Sequence, residues 1–127
     1  MIFAGRRVLV VEDEFLVSLT TIEFLECAGC EVVGPATTVA MAMQFVETEF
    51  LDAAVLDINI SGDTIWPVAE ALRRKGVPCL FLSAYSPLSE IPELFKVAPR
   101  LEKPLEQKSL LCHLSAIWGA ECEPVSP

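Results

Sequence analysis

The chain has 127 residues, 53% of them hydrophobic, which is one domain's worth of length with apolar surface for a full core. Nine basic residues against eighteen acidic ones give a formal charge of -9, so a nucleic-acid backbone is repelled and no nucleic-acid partner is expected. Four apolar residues after the leading arginines are too few for a secretory signal, and no apolar run reaches the roughly 18 residues of a membrane span. A cytoplasmic location with no membrane partner is the expectation.

Val8 to Val11 is an unbroken apolar run closed by Glu12 and Asp13, the pattern of a strand covered on both faces. Glu14 to Ala28 reads as a helix stopped by Gly29. Phe15, Leu19 and Ile22 form its expected stripe, while Leu16, Val17 and Phe24 make it apolar on more than one side. That surplus leaves deep burial and a contact with a partner protein or a second copy equally open. A second strand follows at Glu31 to Gly34, and then Val39, Ala42, Met43 and Val46 recur at helical spacing.

A second unbroken apolar run, Ala53 to Leu56, is closed by Asp57. Ile65, Val68, Ala69 and Leu72 mark the next helix, closed by Arg73, Arg74 and Lys75, whose charges suit its dipole, and stopped by Gly76. The strand Cys79 to Leu82 ends at Ser83. Pro87 and Pro92 interrupt the stretch from Ser86 to Ala98 and leave a turn or two around Glu93, Leu94 and Phe95. Leu101 to Pro104 supplies a last strand and Lys103, and Leu110, Leu114, Ile117 and Trp118 stripe the final helix. The expected division is a folded unit over 1–119 and a short flexible tail over 120–127.

Alternating strands and helices imply right-handed crossovers and an α/β, doubly wound, five-stranded parallel sheet with helices on both faces. Ligands bind such sheets at the carboxyl ends of the strands. Glu12, Asp13, Asp57, Ser83 and Lys103 all fall there, an acid group, a hydroxyl and a lysine suited to phosphoryl transfer. An acid after a strand is more often a helix N-cap when it stands alone. Of the five cysteines, Cys27 and Cys30 form a C-x-x-C, but at a helix carboxyl end, where the dipole opposes a thiolate. Reduced thiols are therefore expected throughout, and His113, inside an apolar helix, is expected to be structural.

Val11-Glu12-Asp13-Glu14, Asp57, Ser83 and Lys103-Pro104 at four strand ends resemble the receiver domain of two-component response regulators. Asp57-Ile58-Asn59-Ile60-Ser61-Gly62-Asp63, Trp66-Pro67-Val68-Ala69 and Phe81-Leu82-Ser83-Ala84-Tyr85 further resemble alphaproteobacterial, often single-domain receivers, with a variant strand-four motif. The resemblance implies the flavodoxin-like strand order 2-1-3-4-5. It implies that Asp57 is the phosphoacceptor, that Mg2+ is held by Asp13, Asp57 and the Asn59 carbonyl with Glu12 acting through water, and that Ser83, Ala84 and Lys103 contact the phosphoryl group. Pro104 would follow a cis bond.

The usual aromatic switch position of the family holds Arg100, so Tyr85 is the candidate substitute beside Ser83. A sensor histidine kinase or phosphotransfer protein, a downstream protein target and a homodimer are the partners implied. The expected role is a non-enzymatic phosphoacceptor that relays a signal or acts as a phosphate sink; the alternative is a phosphorylation-independent interaction module. A dehalogenase-like phosphatase would want a second aspartate where Asn59 stands.

Overall fold

Successive residues of each central strand point to opposite faces, and this alternation sorts the core into two layers. Val8, Val10, Val55, Leu80 and Leu82 pack on one side with Leu25, Leu110 and Leu114, while Leu9, Val11, Leu56 and Phe81 pack on the other with Ala42, Val46, Val68 and Leu72. The computed structural model describes residues 2–84 and 88–119. Tyr85 and the expected tail at 120–127 lie outside the described residues.

The chain runs β1 (Arg7–Val11), α1 (Phe15–Cys27), β2 (Glu31–Ala36), α2 (Val39–Thr48), β3 (Ala53–Asp57), β4 (Asn59–Ile60), β5 (Asp63–Thr64), α3 (Trp66–Arg74) and β6 (Cys79–Ser83). Two 3-10 turns, Leu88–Glu90 and Glu93–Phe95, precede β7 (Arg100–Glu102) and α4 (Gln107–Ile117). The five long-range strands pair in the order β2-β1-β3-β6-β7, every pair parallel, which is the expected 2-1-3-4-5 order. Helices α1 and α4 cover one face, and α2 and α3 the other.

Where a fifth helix would complete the alternation, the described residues make two 3-10 turns and no α-helix, as the two prolines imply. Phe95 and Ile91 anchor this stretch in the core, and Phe95 stacks on Trp66 with ring centroids 5.6 Å apart.

Three features depart from expectation. First, β4 and β5 form a small antiparallel hairpin between β3 and α3. Its turn residues Ser61 and Gly62 have φ of 49° and 83°, the two positive values that a type I′ turn requires. Buried Ile58, Ile60 and Ile65 pin the hairpin to the core.

Second, the inward face of α1 is Ser18, Thr21 and Leu25, and the expected stripe fails at two of its three residues: Phe15 is 75% and Leu19 45% exposed, while Ile22 packs partly buried against the core; Leu16, outside that stripe, is 73% exposed. Ser18 Oγ donates to the Phe15 carbonyl and Thr21 Oγ1 to the Val17 carbonyl, so these small hydroxyls are satisfied within their own helix and can be buried. Third, Cys27, Cys30 and Cys79 are free thiols as expected, but Cys112 is disulfide-bonded. His113 is structural in its bonding, Nδ1 lying 2.7 Å from the Ser109 carbonyl.

Candidate functional site

Strand pairing alone assembles the site. Val11 lies beside Leu56, which brings Glu12 next to Asp57, and Asp57 lies beside Leu82, which places Ser83 one residue further along the neighbouring strand. Lys103 N–H donates to the Ser83 carbonyl at 2.9 Å, and the Lys103–Pro104 peptide is cis, as the resemblance implied.

Asp57 and Glu12 are buried, at 5% and 1% exposure, so their charges depend on a few partners. Asp57 Oδ1 accepts from Asn59 N–H at 3.3 Å, and Oδ2 accepts from Lys103 Nζ at 3.2 Å. Glu12 Oε2 accepts from Asp13 N–H at 3.1 Å. Glu12 Oε1 forms an ion pair with Lys103 Nζ at 2.8 Å, in an orientation that does not make a hydrogen bond. Lys103 Nζ also meets Glu14 Oε1 at 3.1 Å.

One ammonium group therefore faces three carboxylates. Burial alone would lower the Lys103 pKa, but Glu12, Glu14 and Asp57 outweigh it and hold the lysine above its ordinary range. Burial, and then the bond and charge of Asp57, push the Glu12 carboxyl up from 4.5 to about 8, against the opposing pull of Lys103.

Carboxylate oxygens of Glu12, Asp13 and Asp57 all lie within 4.8 Å of one another. A set of hard oxygen donors with excess negative charge fits Mg2+ and does not fit a soft, thiolate-seeking metal. Glu12 Oε1 and Ser83 Oγ are both buried without a hydrogen-bond partner; Glu12 Oε1 has the charge of Lys103 beside it, whereas the desolvation of Ser83 Oγ goes uncompensated.

Of the other residues singled out in the sequence, Asn59 and Ala84 are exposed at the site's edge, and Arg100 is half-buried on β7 opposite Phe81. Neither Asp13 nor Asp57 serves as an N-cap: α1 begins after Glu14 and α3 after Ile65, neither capped by a side chain. Sequence reasoning missed Glu14 as a partner of Lys103. It also missed Ser61, whose N–H donates to Asp13 Oδ2 at 2.8 Å and whose Oγ donates to the Thr37 carbonyl at 2.6 Å. Ser61-Gly62 between Ile60 and Asp63 was the available turn signal.

The family model for the response regulator receiver domain matches residues 8–115. The solution structure of SdrG from Sphingomonas melonis Fr1 is 34% identical, covers 92% of this chain and 98% of its own, and superposes with a TM-score of 0.78. The receiver domain of PhyR from Erythrobacter litoralis, 23% identical, covers 98% of both chains with a TM-score of 0.79 and speaks for the fold alone.

The transcriptional regulatory protein PdtaR of Mycobacterium tuberculosis is 32% identical over 82 residues, 64% of this chain. That match spans only 40% of PdtaR, so this chain covers well under half of the curated relative. With the strand order and the clustered acids in place, a family match over most of the chain settles the assignment: this protein belongs to the response regulator receiver domain family of two-component systems.

Proposed function

We propose that this protein accepts a phosphoryl group on Asp57 from a sensor histidine kinase or phosphotransfer protein and passes the signal on by protein contact, or drains phosphate from the pathway. The carrying observation is Asp57 itself: a buried carboxylate within 4.8 Å of two other acids and 3.2 Å from Lys103. Its Oδ–P bond forms as the P–N bond to the donor histidine breaks, and the electron pair stays on the imidazole nitrogen.

Lys103, released from Asp57, pairs with a phosphoryl oxygen, and the orphaned Ser83 hydroxyl donates to another, with the Ala84 N–H beside it. Asp13, Asp57 and the Asn59 carbonyl would hold Mg2+, with Glu12 acting through water, and the cation would supply positive charge that offsets the acids and the incoming phosphoryl group. SdrG has been solved in a BeF3-activated conformation, and a protein 35% identical to it is expected to respond to the same phosphoryl mimic. In this reading residues 1–119 form a cytoplasmic receiver with a tail at 120–127. Movement of Ser83 then repositions the segment before β7, with Tyr85 and Arg100 at the positions that tune the change.

Incubation with Mg2+ and acetyl phosphate, read by intact mass, is the test. A Mg2+-dependent gain of one phosphoryl group in the wild type that vanishes in Asp57→Ala supports the reading. No gain, together with no response to beryllofluoride or a kinase, overturns it in favour of a phosphorylation-independent interaction module.

A further inference from the structure

We propose that Ser61 is a positioning residue for the cation site, acting through Asp13. This inference rests on the proposed Mg2+ binding and deepens it. Three loops meet at Ser61. Its N–H holds Asp13 Oδ2, after β1, at 2.8 Å, and its Oγ donates to the carbonyl of Thr37, after β2, at 2.6 Å. Ser61 itself sits at the tip of the hairpin that follows β3.

Asp13 is the exposed member of the acid cluster, and an exposed aspartate samples several rotamers unless something holds it. Glu12 and Asp57 are held by burial and by Lys103; Asp13 has the Ser61 N–H. That N–H is aimed by backbone geometry found once among the described non-glycine residues, a positive φ of 49° at Ser61. A serine in this region carries a steric cost that glycine would not. Its hydroxyl gives a reason for the serine: the bond to Thr37 ties the turn to the loop leading into α2, whose N-cap Thr38 accepts from Met41 N–H. Buried Ile60 fixes the other side of the turn. The hairpin thus works as a latch that presents Asp13 in one orientation to the other two acids.

The test is calorimetric titration of the full chain with Mg2+, alongside the unfolding midpoint in chelator. Ser61→Gly keeps the N–H and suits the positive φ but loses the anchor to Thr37. The expected result is an Mg2+ Kd weaker by about tenfold, the low end of what partners behind a metal ligand contribute, with the metal-free midpoint little changed. Ser61→Ala loses the same hydroxyl and adds backbone strain, so it must weaken binding at least as much.

An unchanged Kd in both variants, whatever their midpoints do, makes Ser61 a turn residue only and overturns the inference. A wild type that binds no Mg2+ overturns the metal reading itself, a result distinguishable because it appears before any variant is compared.

Discussion

Lys103 Nζ stands 3.2 Å from Asp57 Oδ2, although the two residues arrive from strands separated by a third, β6. The lysine spans that strand to reach the carboxylate, and it does so at 11% side-chain exposure. Lys103→Met removes the cation that faces Glu12, Glu14 and Asp57 while keeping much of the packed stem. Phosphoryl uptake from acetyl phosphate should slow by about 10²-fold, the usual loss on deleting one donor to developing phosphoryl charge. Single-turnover mass spectrometry at saturating Mg2+ checks it, and a rate within about twofold of wild type would remove Lys103 from the chemistry.

Ser83 should trade stability for function. Its hydroxyl is buried without a partner, so Ser83→Ala removes an uncompensated polar group and should leave stability unchanged or raise it by up to about 1 kcal/mol. Beryllofluoride binding and phosphoryl uptake should fall in the same variant. Urea unfolding beside uptake kinetics reads both, and a clear loss of stability would mean the hydroxyl has a protein partner in solution.

Glu12 predicts an unusual pH profile for the metal-free protein. Between 4.5, its ordinary value, and about 8, its value in the fold, the folded state keeps a proton that the unfolded chain has released. The unfolded state then binds fewer protons, so this group's contribution is fully present below the lower value and is lost as pH rises through the higher one. In chelator, wild type should lose stability relative to Glu12→Gln on going from about pH 5 to about pH 8. Urea midpoints of the pair across that range are the measurement; parallel curves would refute the raised value.

Phe15 and Leu16 lie on the water side of α1, so the fold does not need them. Phe15→Ser and Leu16→Ser should shift stability by no more than about 0.5 kcal/mol. The expected deficit is selective: slower phosphoryl transfer from a cognate kinase, with uptake from acetyl phosphate at the wild-type rate. Equal loss with both donors would tie these residues to the chemistry instead of to docking.

Strand ends were the legible part of this chain. An apolar run that stops at a carboxylate or hydroxyl marks both a buried strand and its functional end, so Glu12, Asp57 and Ser83 could be placed before any coordinates. The inward face of α1 was not legible, because periodicity finds a stripe and cannot tell which of two stripes faces the sheet. Ser18 and Thr21 won that contest by bonding to their own helix carbonyls, an option hydropathy does not register. The Ser61 hairpin escaped for a related reason. Its strands are two residues each, too short for an alternating pattern, and the positive φ at Ser61 is a property of the backbone that serine does not announce.

The crossover from β6 to β7 differs from the other three in its cohesion. Helices of 13, 10 and 9 residues carry those connections, whereas the described residues of this one form two three-residue turns. Such turns make few backbone bonds, so the amide protons around them should exchange with solvent through openings far smaller than global unfolding. Ile91 and Phe95 are the buried apolar anchors among the described residues of this stretch, with Phe95 packed edge-on against Phe81 of β6. A change at Ser83, the last residue of β6, therefore acts at the start of a connection held by short turns and two buried side chains instead of a helix.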